Sequence, residues 1–236
     1  MKKYTHNVET HNTRAAEIVV PYLMELFSPK SAIDVGCGLG TWLQVFKEHG
    51  CSILGADWPE IDRTLLLLAD DEFVPVDLEK GLQINQRYDI AICLEVAEHL
   101  SSNSSNQFVS DLTSLSDLIL FSAAIPNQGG DNHVNEQYAD YWQEKFEAHG
   151  YFFYDIFREK YWNNSDIEWW YRQNMFLVSK SDLKFPKSRK INTYIHPGLF
   201  NKKLDEINSY YTGEHSITTG IKFLLKTVLF KFRKHN

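Results

Sequence analysis

The sequence predicts an α/β protein built on a doubly wound, mostly parallel seven-stranded sheet. Its last strand is antiparallel, helices cover both faces, and a helical extension closes the chain. Three observations carry this reading. Short apolar runs alternate with segments of helical length through residues 11–123. Each run ends in a polar or glycine-bearing turn, and two further apolar, aromatic runs at 151–157 and 173–180 lie close enough to pair as a hairpin.

Taken in order, residues 11–27 (HNTRAAEIVVPYLMELF) repeat apolar side chains at helical spacing and predict a leading helix, with Pro21 as a kink or break. Strands are expected at Ser31 to Val35, Ser52 to Ala56, Phe73 to Val76, Tyr88 to Leu94 and Leu118 to Ala123. These runs are apolar throughout, as strands covered on both faces must be. Helices are expected between them at Thr41 to His49 and Gln107 to Ser116, with SSNSSN (101–106) a loop. Residues 135–149 predict a helix stopped by Gly150. The strands YFFYDIF and QNMFLVSK then follow, joined by an aromatic loop, EKYWNNSDIEWWY, and the pair is placed antiparallel at the sheet edge.

The domain plan is one catalytic-sized domain over 1–180, a linker or surface extension over 181–215 that contains Pro186 and Pro197, and a basic amphipathic helix over 216–236. No run of 18 apolar residues occurs, and MKKYTHNVETHN leads into polar residues without the apolar core of a signal peptide. A cytoplasmic location is therefore expected. Cys37, Cys51 and Cys93 have no C-x-x-C spacing and are read as reduced and structural, with no zinc site. The net charge is −7, and every acidic residue precedes residue 215, while Lys222, Lys226, Lys231, Arg233 and Lys234 lie beyond it. A body that acidic repels a phosphate backbone, which argues against nucleic acid as a partner. No oligomeric state is predicted.

The segment SAIDVGCGLGTW (31–42) runs from a strand through alternating glycines into a helix, a geometry that presents backbone N–H groups and a helix N-terminus to a small charged ligand. The spacing is G-x-G-x-G after Asp34. The dinucleotide fingerprint would need glycine where Thr41 stands, and no Gly-Lys-Ser/Thr phosphate loop is present. Alone, the loop is also consistent with a tight turn and nothing more. Three further strand ends add weight: Asp57 closes the second strand, Asp77 and Leu78 follow the third, and CLEVAEHL (93–100) brings Glu95, Glu98 and His99 to the end of the fourth. All of these lie at the carboxyl edge of the sheet, where open α/β folds bind their ligands.

In order and spacing, DVGCGLG, the acidic residue of GADW, the aspartate of VPVDL and CLEVAEHL resemble the successive motifs of the class I, Rossmann-like S-adenosylmethionine-dependent methyltransferases, over about residues 11–180. FSAAIPNQGGDNHVNEQYADYW and WWYRQNMFLV are similar to methyltransferases encoded with bacterial surface-glycan genes. The resemblance implies S-adenosylmethionine as cofactor and assigns its contacts. Asp34, Gly36, Cys37, Gly38 and Gly40 would hold the methionine portion, Asp57 the ribose hydroxyls, Trp58, Asp77 and Leu78 the adenine, and Leu94 and Glu95 the methionine end. It also implies a seventh strand that runs antiparallel to the rest.

Methyl transfer to an alcohol benefits from a base within hydrogen-bond reach, and His133, His99 and Glu98 are the candidate catalytic residues. His133 is favoured because NQGGDNHVNEQ follows the fifth strand, where an acceptor would meet the methyl group. The competing roles are a cap or loop bond for His133, a turn bond for His99 and a helix-start carboxylate for Glu98. Asp131, His133 and Glu136 have a spacing that would admit a divalent ion, but the pattern is too common to assign one, and no metal ligands are predicted. Asn127, Gln128, Trp169, Tyr171 and Arg172 are predicted to meet the acceptor. With Trp142, Trp162 and Trp170, and with Gln173 as a further polar group, these aromatics suit the C–H faces of a sugar ring, or pack the edge of the core. The expected activity is O-methylation of a sugar or glycan precursor. Alternatives are another small acceptor, such as a quinone precursor or an amine, and a non-catalytic cofactor-binding subunit. Ile221, Leu224, Leu225, Val228 and Phe232 share one helical face with lysines on its flank, which fits peripheral contact with an anionic membrane or docking on protein.

Overall fold

A computed structural model of the chain describes residues 12–212 and 216–222. The strands are β1 (Ser31–Val35), β2 (Ser52–Asp57), β3 (Phe73–Pro75), β4 (Ile90–Leu94), β5 (Leu118–Ser122), β6 (Phe152–Tyr154) and β7 (Phe176–Ser179). They form one sheet in the order β3-β2-β1-β4-β5-β7-β6. The pairs from β3 through to β5 are parallel, while β7 is antiparallel to both β5 and β6. The expected seven strands and the reversed seventh are present. The hairpin partner β6 holds the edge, and β7 is inserted next to β5.

The helices are α1 (Arg14–Phe27), α2 (Thr41–Glu48), α3 (Ser105–Leu115), α4 (Ala139–Glu147), α5 (Phe157–Tyr161), α6 (Trp169–Asn174) and α7 (Pro197–Thr212). Side chains alternate between the two faces of each strand, so the sheet has two cores. Ile90, Ile92 and Leu94 of β4 join Val19, Leu23, Leu43 and Phe46 of α1 and α2 on one face. Ala91 and Cys93 join Phe108, Leu112, Trp142 and Phe146 of α3 and α4 on the other. Full burial on both sides is why these strands read as unbroken apolar runs.

Pro21 lies inside an unbroken α1. It is exposed, so the backbone carbonyl that loses its N–H partner faces water and α1 needs no break there. The helix expected over 135–149 begins only at Ala139, because the backbone before it is engaged elsewhere: the N–H of Asn135 donates to Glu98 O (3.0 Å) and that of Gln137 to Ala124 O (3.3 Å). The aromatic loop is also corrected, since it carries α5 and α6. Phe157 and Tyr161 bury one face of α5 at a spacing of four, and the ends of both predicted strands are absorbed into these helices.

The chain divides into two compact units, Met1–Tyr194 and Ile195–Asn236. Part of the expected linker belongs to the first. Gln143 Nε2 donates to Ser188 O (2.8 Å), Ile191 N donates to Gln143 Oε1 (3.0 Å), and Arg158 Nη1 donates to Asn192 O (2.8 Å). In the second unit the expected linker is instead α7, which starts at Pro197. Proline costs nothing at the first helical position, where its missing N–H has no partner to lose, and His196 Nδ1 accepts from Gly198 N (2.9 Å). Residues 217–222 are helical, and the remainder of the predicted basic helix lies outside the described residues. No helix among the described residues is long and apolar enough to cross a membrane.

Candidate active site

The strand order reverses between β1 and β4, which opens a crevice at their carboxyl ends. On the β1 side, Gly36 turns the chain with φ 82° and donates its N–H to Ala56 O (2.7 Å), and Gly40 (φ 81°) caps α2. Gly38 (φ 53°) aims its N–H at Asp57 Oδ2 (2.6 Å), while Asp57 Oδ1 accepts from the N–H of Trp58 (2.6 Å). The glycine turn and the acidic end of β2 are thus one hydrogen-bonded unit. The glycines also have a reason to be small that does not involve a ligand. A Cβ at Gly36 would stand 2.3 Å from Val96 Cγ2, and one at Gly40 would stand 2.6 Å from Leu68 Cγ.

Asp34 is buried at the end of β1, where desolvation and the neighbouring Asp57 hold its carboxyl well above the usual carboxylate range. Cys37 is buried, and desolvation with the same two carboxylates pushes its thiol up, so it is a packing residue and no nucleophile. Leu94 is buried in the core of the first face. Leu78 packs at the margin of the second. Asp77 accepts from Glu79 N (3.2 Å) and pairs with Lys80 (2.9 Å), which makes it first of all the cap of its own turn.

On the β4 side, Glu95 has φ 56°, a left-handed conformation that a non-glycine residue keeps only where its surroundings enforce it. Its N–H is held by Ser122 O and Oγ, both at 3.1 Å. Its carboxylate accepts from Gln128 Nε2 (2.8 Å) and Asn174 Nδ2 (3.1 Å), and Asn174 and Gln173 both donate to Gln128 Oε1. Burial raises the Glu95 carboxyl, against the lowering effect of the bonds from Asn174, Ser122 and Gln128. Among the described residues, no ion pair neutralises Asp34 or Glu95, which leaves the crevice suited to a cationic guest. Gln173 stands in the sequence beside the aromatic set, whereas Asn174 is not singled out there. The signal was there, in two adjacent amides opening an otherwise apolar run.

One turn further on, Glu98 is 0% exposed and neither carboxylate oxygen meets a donor at good hydrogen-bond geometry, with only the backbone N–H groups of Glu98 and Ala124 near it. Desolvation and the nearby Glu95 push its carboxyl well above the usual range. Its backbone O accepts from the N–H groups of Val134 (2.9 Å) and Asn135 (3.0 Å), which draws the loop after β5 across the end of β4. That loop sets the His133 ring edge-to-face against His99, with 4.8 Å between centroids. His133 Nδ1 bonds Glu136 Oε1 (2.9 Å), and Glu136 in turn accepts from the N–H groups of Asn127 and Gly129 (2.7 Å each). Burial alone would raise Glu136, but these three bonds bring it below its usual value. His99 is lowered to about 4, first by burial and then by His133, so it is neutral at physiological pH. Glu98, His99 and His133, three candidates 35 positions apart at most, thus converge, with one ligating atom from each within 4.8 Å of the others.

The predicted acceptor residues are divided. Gln128 joins the Glu95 network, and Asn127 is exposed with its backbone tied to Glu136. Tyr171 packs edge-on against Trp42 (5.5 Å), and burial raises its hydroxyl, with Glu95 and Asp34 adding to the rise, which puts it beside the crevice. Trp169 stands edge-to-face with Trp170 (5.5 Å) at the start of α6. The Arg172 guanidinium donates to Trp162 O (3.1 Å) and holds the aromatic segment together. Trp142 does not belong with this set: it is core, buried against Phe121 (5.7 Å).

Residues 4–176 match the family described as "Methyltransferase domain". No curated protein matches the chain. Among solved structures, the magnesium protoporphyrin IX methyltransferase ChlM of Synechocystis PCC 6803 with bound SAM is similar at 20% identity, with a TM-score of 0.52 over 76% of this chain and 86% of that one. DesVI of Streptomyces venezuelae is similar at 11% identity, with a TM-score of 0.56 over 75% of this chain and 100% of that one. At such identities the likeness is one of fold.

Proposed function

The chain belongs to the methyltransferase-domain family, and from that premise we propose that it moves a methyl group from S-adenosylmethionine to a hydroxyl of a small, sugar-like acceptor. The observation that carries the acceptor chemistry is the convergence of Glu98, His99 and His133 beside the Glu95 end of the crevice.

S-adenosylmethionine supplies a methyl on a sulfonium that leaves as a neutral thioether, so the donor side needs no acid. The protein's work is to place and to shield. Asp57 accepts hydrogen bonds from the N–H groups of Gly38 and Trp58 through its two carboxylate oxygens, which fixes an acidic acceptor beside the glycine turn where a ribose hydroxyl would meet it. Burial and, at Asp34, the neighbouring Asp57 raise the Asp34 and Glu95 carboxyls, and a positive charge bound between β1 and β4 would offset that cost and favour their ionised forms. An alcohol must lose its proton around the transition state, and Glu98, His99 and His133 are placed to lower that cost. An amine that is already neutral would need none of them. The aromatic α6, with Trp169 and Trp170 at its head, supports a ring-shaped acceptor.

The test pairs two measurements on the full chain. Calorimetric titration with S-adenosylmethionine is expected to give saturable binding. Mass spectrometry of hydroxylated acceptors, nucleotide sugars among them, is expected to show the gain of one methyl, and His133→Ala should slow that gain at least tenfold with donor affinity unchanged. A donor that binds while every hydroxyl acceptor stays unmodified and an amine is methylated instead would overturn the proposal.

A further inference from the structure

We propose that Glu98, His99 and His133 form a binding site for one divalent transition-metal ion of the Mn²⁺ or Zn²⁺ kind. The primary observation is Glu98. Its carboxyl is 0% exposed and neither oxygen meets a donor at good hydrogen-bond geometry; only the backbone N–H groups of Glu98 and Ala124 approach it, too few for its lone pairs, an arrangement that folded proteins avoid unless something else occupies the rest. Its oxygen and one nitrogen from each imidazole lie within 4.8 Å of one another. An ion that binds at 2.0–2.2 Å holds its ligands about 3.4 Å apart, so movements of about 1 Å would close the set.

The two imidazoles are prepared as ligands. His133 bonds the Glu136 carboxylate through Nδ1 (2.9 Å), a support that holds the ring in place and leaves Nε2 as the nitrogen to ligate. Glu136 is itself pinned by two backbone N–H groups. His99 is oriented by a hydrogen bond between its ring and the backbone of Asn132. A carboxylate or carbonyl behind each ligating histidine is the usual support of a metal-bound imidazole. Gly130 completes the cradle, since a Cβ there would stand 2.2 Å from His133 Nε2. Two imidazoles and one carboxylate suit a first-row transition ion better than Mg²⁺ or Ca²⁺, which favour oxygen. The set differs from the loop spacing Asp131, His133 and Glu136: Asp131 is exposed, and Glu136 supports His133 from behind. Three protein ligands leave positions open, and if the methyl-transfer reading holds, an acceptor hydroxyl would bind there with its pKa lowered.

The test uses the full chain freed of metal by a chelator. Mn²⁺ is titrated in while the resonance of the free ion is followed, Co²⁺ is titrated in while its visible absorption is followed, and donor binding is measured on the same preparation. The proposal expects one ion per chain, a Co²⁺ spectrum typical of nitrogen and oxygen ligands, at least tenfold weaker binding in Glu98→Gln and in His133→Ala, and a smaller loss in Glu136→Gln. Circular dichroism shows which variants fold, and either folded ligand variant suffices. Saturable donor binding without saturable ion binding would overturn this inference and leave the methyltransferase reading standing. So would ion binding unaffected by the folded ligand variants. Ion binding without donor binding would do the reverse.

Discussion

Gly36→Ala separates two reasons for a glycine at the mouth of the crevice: room for a ligand, and room for the protein itself. The added methyl would lie 2.3 Å from Val96 Cγ2 and 2.8 Å from Cγ1, both well inside ordinary contact. Overpacking of that kind costs about 1–3 kcal/mol. The residue also keeps φ 82°, where alanine costs about 1–2 kcal/mol. The sum, about 2–5 kcal/mol, corresponds to a fall in Tm of roughly 5–15 °C for a domain of this size. Urea unfolding followed by tryptophan fluorescence would give the free energy directly. The same substitution in a Val96→Ala background should cost only the backbone share, about 1–2 kcal/mol, because the methyl it collides with is gone. Equal costs in the two backgrounds would refute the packing account. Unchanged stability with lost donor binding would show that the glycine is kept for the ligand alone.

Two further outcomes follow from the site. Asp57→Asn keeps the shape but gives up the charge that Gly38 N–H and Trp58 N–H now meet; loss of a charge-assisted bond, about 1.5–3 kcal/mol, should weaken donor binding about 10- to 150-fold by calorimetry while the circular dichroism spectrum stays unchanged. His99 sets a pH dependence. Its folded value of about 4 lies below the usual 6.5, so between those values the unfolded chain binds more protons, and stability is lost as pH falls through this window. The full span amounts to about 3 kcal/mol. In chelator, the pH slope of urea unfolding should therefore be shallower for His99→Gln than for the parent between pH 4 and 6.5, and parallel slopes would remove this account of His99.

The ease of reading the sequence followed burial. β1 was legible residue for residue because an apolar run meets a glycine turn at Gly36, and α2 because its apolar face follows at once. The last third was harder for a physical reason. In 151–161 the short strand β6 and the short helix α5 both bury aromatic side chains, and a segment of three to five such residues has no period that separates the two structures. The start of α4 was misplaced because propensity could not show that the backbone of Asn135 and Gln137 bonds the chain around β4 and β5. In the site, Glu95, Glu98, His99 and His133 were visible as residue types at a strand end or in a polar loop. Their mutual distances were not, since these arise from the pairing of β4 with β5 and the fold of the loop beyond it. Asn174 was hidden inside a run that reads as strand, and Gln173 was visible as a polar neighbour of the aromatic set without its bond to Gln128.

Glu98 connects these levels. Its backbone oxygen takes the N–H groups of Val134 and Asn135, and that pair of bonds brings His133 against His99; its buried carboxyl lies beside the same two rings with no donor at good hydrogen-bond geometry. Anchor and chemistry are therefore separable within one residue. A substitution that changes the carboxyl leaves the carbonyl in place, so Glu98→Gln should keep the loop after β5 where it lies and alter only what the cluster can bind. For the same reason, a Pro at 135, which removes one of the two N–H donors, would displace His133 while leaving every ligating side chain in the sequence. If both changes weakened ion binding but only the second shifted the aromatic ring signals of His99 and His133, the loop's anchoring and the cluster's ligation would be shown to be distinct contributions of the same turn.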